Sequence, residues 1–203
     1  MAFTYFFRDM HTLRLVERCV VPDLVGRGRI DVWDAGCAMG PEPYSLAIIL
    51  RENMGSFLWR NVRIQATDLD GSDQFGEVIR RGVYPDEQVK RIPRPILDRY
   101  FAATAESGWW QVSEEIRARV HFRRHDLLTL EPVGGRFDLV VRKNVLLHFS
   151  EEQRTAVLRM FHSVLGDGGY LVMEQTQRLP DTLCGDFERV TGDGQVYRKA
   201  AAA

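Results

Sequence analysis

The densest group of chemically capable residues is Asp34-Ala35-Gly36-Cys37-Ala38-Met39-Gly40-Pro41-Glu42, a turn that holds two glycines between two acids. Glycine lets the backbone approach a ligand closely. The spacing lacks the third glycine of the G-x-G-x-x-G pyrophosphate fingerprint, so a nicotinamide-dependent oxidoreductase is rejected. Asp68 closes the run that begins at Val62, where a carboxylate can grip ribose hydroxyls. Taken alone, these glycines and acids fit a nucleotide-like ligand and a plain tight turn equally well. His121 and His125 share one face of a strand beside Asp126, but no third ligand has fitting spacing and no metal is expected.

These residues need a frame. Ile30–Asp34, Val62–Asp68, Val120–Arg124, Phe137–Val141 and Tyr170–Met173 read as strands, rich in β-branched and aromatic residues. A helix is predicted from Pro41 to about Glu52, with proline in its first turn. Another follows Ser150-Glu151-Glu152-Gln153, a capping box, with Val157, Leu158, Phe161, Val164 and Leu165 at helical spacing and Gly166–Gly169 as its stop. Strand–helix alternation implies a doubly wound α/β sheet with parallel strands. Phe187–Val190 and Gln195–Arg198 flank Thr191-Gly192-Asp193-Gly194 and predict an antiparallel hairpin. Residues 69–122 are too many for one crossover. They read as an insertion with a helix over Ser72–Arg81 stopped by Gly82, a short helix at Ile96–Phe101 and a small β excursion from Gly108 to Arg119. Trp109-Trp110 are expected to pack that excursion.

The 203 residues fit a single domain, 1–203, and 27 basic against 28 acidic residues give a net charge of −1. Bulk charge therefore does not drive nucleic-acid binding. No 18-residue apolar run and no signal-peptide pattern is present, and Cys19, Cys37 and Cys184 form neither a disulfide framework nor a metal knuckle. A cytoplasmic protein is expected.

The string Trp33-Asp34-Ala35-Gly36-Cys37-Ala38-Met39-Gly40-Pro41-Glu42-Pro43-Tyr44-Ser45 resembles the cofactor loop of the CheR-type chemoreceptor methyltransferases, W-S-A-G-C-S-T-G-E-E-P-Y-S. Thr4-Tyr5-Phe6-Phe7-Arg8-Asp9 is similar to T-x-F-F-R-(D/E), and Ala66–Asp70 with Gly82-Val83-Tyr84 is similar to A-(S/T)-D-I-D…G-(I/V)-Y. Phe137 to Phe149 is similar to F-D-x-I-x-C-R-N-V-x-I-Y-F, and the β excursion falls where the family carries its small β-subdomain.

The resemblance implies a class I, Rossmann-like methyltransferase fold: a mostly parallel seven-stranded sheet ending in an antiparallel hairpin. It also implies S-adenosylmethionine as cofactor, S-adenosylhomocysteine as product and a receptor glutamate as acceptor. By position, Thr4, Arg8, Gly36, Gly40, Glu42, Asp68, Asp126, Leu127, Lys143 and Asn144 would line the cofactor pocket. Glu42 and Asp68 would serve the methionine-amino and ribose ends, Asp126-Leu127 the adenine, and Arg8 the methyl-transfer point. The sequence departs from the pattern at Pro41, at Arg142-Lys143 in place of C-R, and at His148 in place of tyrosine. The chain starts almost at the T-x-F-F-R motif, so the family's N-terminal helical domain is expected to be missing.

His148 can fill the tyrosine's space or act as a base on a hydroxyl or amine, as His11 also can. A base would suit a CheR-like enzyme redirected to a small molecule. A non-catalytic module holding S-adenosylmethionine is a third reading.

Overall fold

Ile30–Ala35 is buried at every position but one, the pattern of a strand covered on both faces. In the computed structural model, which describes residues 4–143 and 149–201, the strands are β1 Ile30–Ala35, β2 Val62–Asp68, β3 Val83–Pro85, β4 Phe101–Ala103, β5 Trp109–Val112, β6 Val120–Arg124, β7 Phe137–Arg142, β8 Leu165–Met173, β9 Phe187–Arg189 and β10 Val196–Lys199. The α-helices are α1 Met10–Leu15, α2 Val21–Leu24, α3 Pro41–Trp59, α4 Phe75–Arg81, α5 Asp86–Val89, α6 Arg94–Tyr100, α7 Glu114–Arg117 and α8 Glu151–Val164.

The main sheet has the order β6-β2-β1-β7-β8-β10-β9. Its first five strands pair in parallel, with Val32 opposite Ile64 on one side and Leu139 on the other. The last two pairings are antiparallel, as the hairpin signal predicts. Chain order runs outward from β1 to β2 and β6, then resumes on the other side at β7. That reversal puts the switch point, where open α/β sheets take ligands, at the carboxyl ends of β1 and β7. The second sheet, β3-β5-β4, is antiparallel and lies within residues 83–112.

Phe6 anchors the N-terminal segment on the small sheet. It is fully buried, with its ring edge-on to Tyr84 at 5.0 Å and to Phe101 at 5.1 Å. Trp33 of β1 packs helix α8 against the main sheet, its ring edge-on to Phe161 and tilted against Phe137 of β7.

Several element boundaries differ from the sequence expectation for local reasons. Helix α3 runs past Glu52 to Trp59, bending at Gly55 (φ 69°), because burial of Met54 and Trp59 extends its apolar face. Helix α4 starts at Phe75 rather than Ser72, since the buried carboxylate of Asp70 accepts from the amides of Gln74 and Phe75, both at 3.0 Å. Helix α6 begins at Arg94, two residues ahead of Ile96, with Pro95 in its first turn. Strand β8 begins at Leu165, directly after α8, and so includes Gly166–Gly169, which the sequence reading treats only as a stop. A shift in register between Phe137 and Leu139 absorbs these glycines, and a Cβ on Gly169 would stand 2.9 Å from the carbonyl of Gly166. The capping box at Ser150 and Gln153 is present in both directions.

Candidate cofactor site

The turn after β1 is pinned by β2. Gly36 and Cys37 donate to the carbonyl of Thr67 at 2.7 and 3.0 Å, while Trp33 Nε1 donates to Thr67 Oγ1 at 2.9 Å. Asp68 Oδ2 accepts from the amide of Ala38 at 2.9 Å, holding Ala38 at a left-handed φ of 47° that a non-glycine residue rarely adopts. The carboxylate predicted to reach ribose therefore also fixes the cofactor loop. Gly36 takes φ 98°. Gly40 takes φ 106°, and a Cβ there would lie 2.3 Å from the Tyr84 hydroxyl and 2.9 Å from Ile79. Its need for glycine is thus set by contact with the small sheet and α4. Tyr84 in turn donates to the carbonyl of Met39 at 2.9 Å.

Beside this turn lies a cavity of about 200 Å³ lined by Gly36, Asp68, Leu69, Asp126, Leu127 and Phe149, among others. It is smaller than the roughly 300–1,000 Å³ of a pocket for a whole drug-sized ligand, and suits a single flat ring system. Asp126 shapes one wall, its Oδ1 accepting from the amide of Leu128 at 2.9 Å, and Leu127 turns inward. His125 contributes another side. Its Nε2 pairs with the carbonyl of Glu131 at 2.7 Å, and its ring stands edge-on to Trp33. These contacts make it part of the wall.

On the far side of the turn, charges gather. Lys143, at the end of β7 and 5% exposed, lies 3.5 Å from Glu42 Oε2 in the first turn of α3. Asp34, the penultimate residue of β1, is completely buried, and neither of its carboxyl oxygens has a hydrogen-bond partner among the described residues. Glu42 Oε1 is buried and unpartnered as well. Burial and the neighbouring Glu42 push the Asp34 carboxyl well above its ordinary range, and burial pushes Glu42 up too, against the pull of Lys143. Burial likewise raises the Cys37 thiol, so it is not a reactive thiolate.

The expected site residues thus come together in part. Gly36, Asp68, Asp126 and Leu127 line one cavity, Glu42 and Lys143 pair with each other, and Gly40 packs against Tyr84 and Ile79. Thr4 and the exposed Arg8 lie on the N-terminal segment, which is tied to α3 where the Phe7 amide donates to Ser45 Oγ at 2.9 Å. Asn144 and His148 lie outside the described residues. Sequence reasoning assigned no role to Asp34, Thr67, Leu69 or Phe149. An acid at a strand end is legible, whereas its burial beside a second acid is not.

A switch point of this kind, five parallel strands and an antiparallel close define the S-adenosylmethionine-dependent class I methyltransferase fold. The solved structure of the rRNA methyltransferase AviRa from Streptomyces viridochromogenes shares it, with a TM-score of 0.58 at 14% identity over 97% of this chain and 86% of that one. Residues 2–195 match the family described as "CheR methyltransferase, SAM binding domain", and the chain belongs to that family. Chemotaxis protein methyltransferase 1 of Pseudomonas aeruginosa is 37% identical over 88% of this chain and 68% of its own length. The chemotaxis protein methyltransferase of Vibrio parahaemolyticus is 32% identical over 96% of this chain and 71% of its own. The chain therefore spans about two thirds of the length of these relatives. It is a CheR-type, S-adenosylmethionine-dependent methyltransferase. The residues fit that cofactor: a mostly apolar cavity of a size for a base, and buried carboxyl oxygens lacking donors among the described residues for a cationic end.

Proposed function

We propose that the methyl acceptor is a carboxylate oxygen on a protein, the glutamate side chain of a chemoreceptor, modified on its cytoplasmic side. The observation that carries this reading is the likeness to chemotaxis protein methyltransferases over 88–96% of the chain. No helix among the described residues is long and apolar enough to cross a membrane.

The chemistry suits so sparse a site. When bound, the cofactor supplies a methyl carbon on a sulfonium: an oxygen–carbon bond forms as the carbon–sulfur bond breaks, the electron pair stays on sulfur, and the products are a methyl ester and a neutral thioether. A carboxylate is already ionised at neutral pH, so no proton need move, and in-line alignment supplies much of the acceleration. In this reading Arg8 orients the acceptor carboxylate with its guanidinium fork. Thr4, Glu42, Asp68, Asp126, Leu127, Lys143 and Asn144 hold the cofactor. His148 fills the space of the family's tyrosine. Residues 1–203 act as one catalytic unit, with 69–122 as its insertion.

The test is transfer of labelled methyl to receptor-bearing membranes and, separately, to soluble metabolites. Label that mild base releases as methanol from the membrane protein is expected. Base-stable label confined to small molecules would overturn the reading.

A further inference from the structure

Three ionisable groups meet at the exit of β1 with charges that do not balance. Asp34 comes from β1, Glu42 from α3 and Lys143 from the end of β7. Asp68 from β2 adds a further negative charge that acts on Asp34, and Asp9 from the N-terminal segment one that acts on Glu42. Cys37, the remaining titratable neighbour, is a neutral buried thiol. Lys143 can offset one carboxylate, not two. Its 3.5 Å contact is with Glu42, and three buried carboxyl oxygens, both of Asp34 and Oε1 of Glu42, face no donor among the described residues.

A buried, unpaired carboxylate costs several kcal/mol, and such a group takes a proton instead. Two carboxyls side by side hydrogen-bond to each other only when one of them carries that proton. The site is also the cofactor edge, and the family pattern has serine where this chain has Asp34.

We propose that the free protein holds one proton between Asp34 and Glu42, and that the cofactor's ammonium group replaces it on binding, so that Asp34 couples cofactor binding to proton release. The exchange keeps the charge of the site constant. One proton leaves for solvent, one ammonium arrives, and its N–H groups become the donors that the three oxygens lack. Burial and the Glu42 charge favour the proton on Asp34, while Lys143 pulls the Glu42 carboxyl the other way. This inference rests on the family's cofactor and is independent of the acceptor.

The experiment is calorimetric titration of the full chain in buffers of different ionisation enthalpy, between pH 5 and 9. The ligands are S-adenosylmethionine, S-adenosylhomocysteine and methylthioadenosine, which lacks the amino-acid end. Both amino-acid-bearing ligands should release up to about one proton, with affinity rising up to about tenfold per pH unit in that window. Methylthioadenosine should release none. Asp34→Asn, the isostere of the protonated acid, should flatten the pH dependence and abolish release. Asp34→Ser, the residue of the family pattern, should do the same if the asparagine variant does not fold.

Binding without proton exchange, release of equal size in the variants, or release with methylthioadenosine would overturn the proposal and leave the cofactor assignment intact. Release with S-adenosylmethionine alone would place the sulfonium there and overturn the ammonium assignment. No binding of either amino-acid-bearing ligand would overturn both.

Discussion

Two buried ionic groups sit at neighbouring strand ends, and they are built differently. Arg142, 1% exposed, donates from Nη1 to Glu174, 4% exposed, at 3.2 Å, and from Nη2 to Gln177 at 2.8 Å. One cation meets one anion, and an amide oxygen takes up a further N–H. The next residue, Lys143, belongs to the second group, where one ammonium meets two carboxyls. Successive residues leave β7 on opposite faces, so adjacent cations serve unlike neighbourhoods. The balanced pair serves the fold, although Arg142 Nε and Glu174 Oε2 are buried without a hydrogen-bond partner among the described residues. The other group holds one carboxyl more than it has cations, and that excess charge invites a cationic ligand.

The largest effect should come from breaking the balanced pair. Arg142→Ala strands Glu174 in the core and should cost about 3–5 kcal/mol, read by chemical denaturation. Asp68→Ala removes the acceptor of the Ala38 amide and frees a left-handed turn. A loss of about 1–3 kcal/mol in stability is expected, together with weaker cofactor binding in a titration.

Asp34→Asn should act in the opposite direction. The folded pKa of Asp34 is raised, so its contribution to stability is fully present below the unfolded value of about 3.9 and is lost as pH rises toward the folded value. Asparagine does not titrate. The variant should match the wild type near pH 4 and gain on it by up to about 1.4 kcal/mol per pH unit above that, in thermal melts of the free protein. Ser150→Ala, in the capping box remote from both ionic groups, should cost only about 1 kcal/mol and leave these pH profiles unchanged.

What the sequence disclosed and what it hid divide along the same line. The parallel strands, the hairpin at Thr191–Gly194 and the box at Ser150 are local patterns, and the structure contains all of them. The start of α4 at Phe75 depends on where Asp70 is buried, and the extension of β8 depends on a register shift against β7. Neither is written in local propensity. Glu42, Asp68 and Lys143 are expected at the site through the family resemblance, and the fold places Asp68 under the turn after β1 and Lys143 against Glu42. Asp34 was legible only as an acid at a strand end, because its excess charge arises when β1, α3 and β7 come together. The tie from Asp68 to Ala38 also needs the fold, since β2 brings the carboxylate under the turn.

The most direct measurement is a carbon-13 NMR titration of the Asp34 carboxyl, free and saturated with S-adenosylhomocysteine. The unbalanced site predicts a carboxyl that titrates well above the ordinary aspartate range in the free protein and falls back when the ligand binds. An Asp34 that titrates at its ordinary value in both states would contradict it.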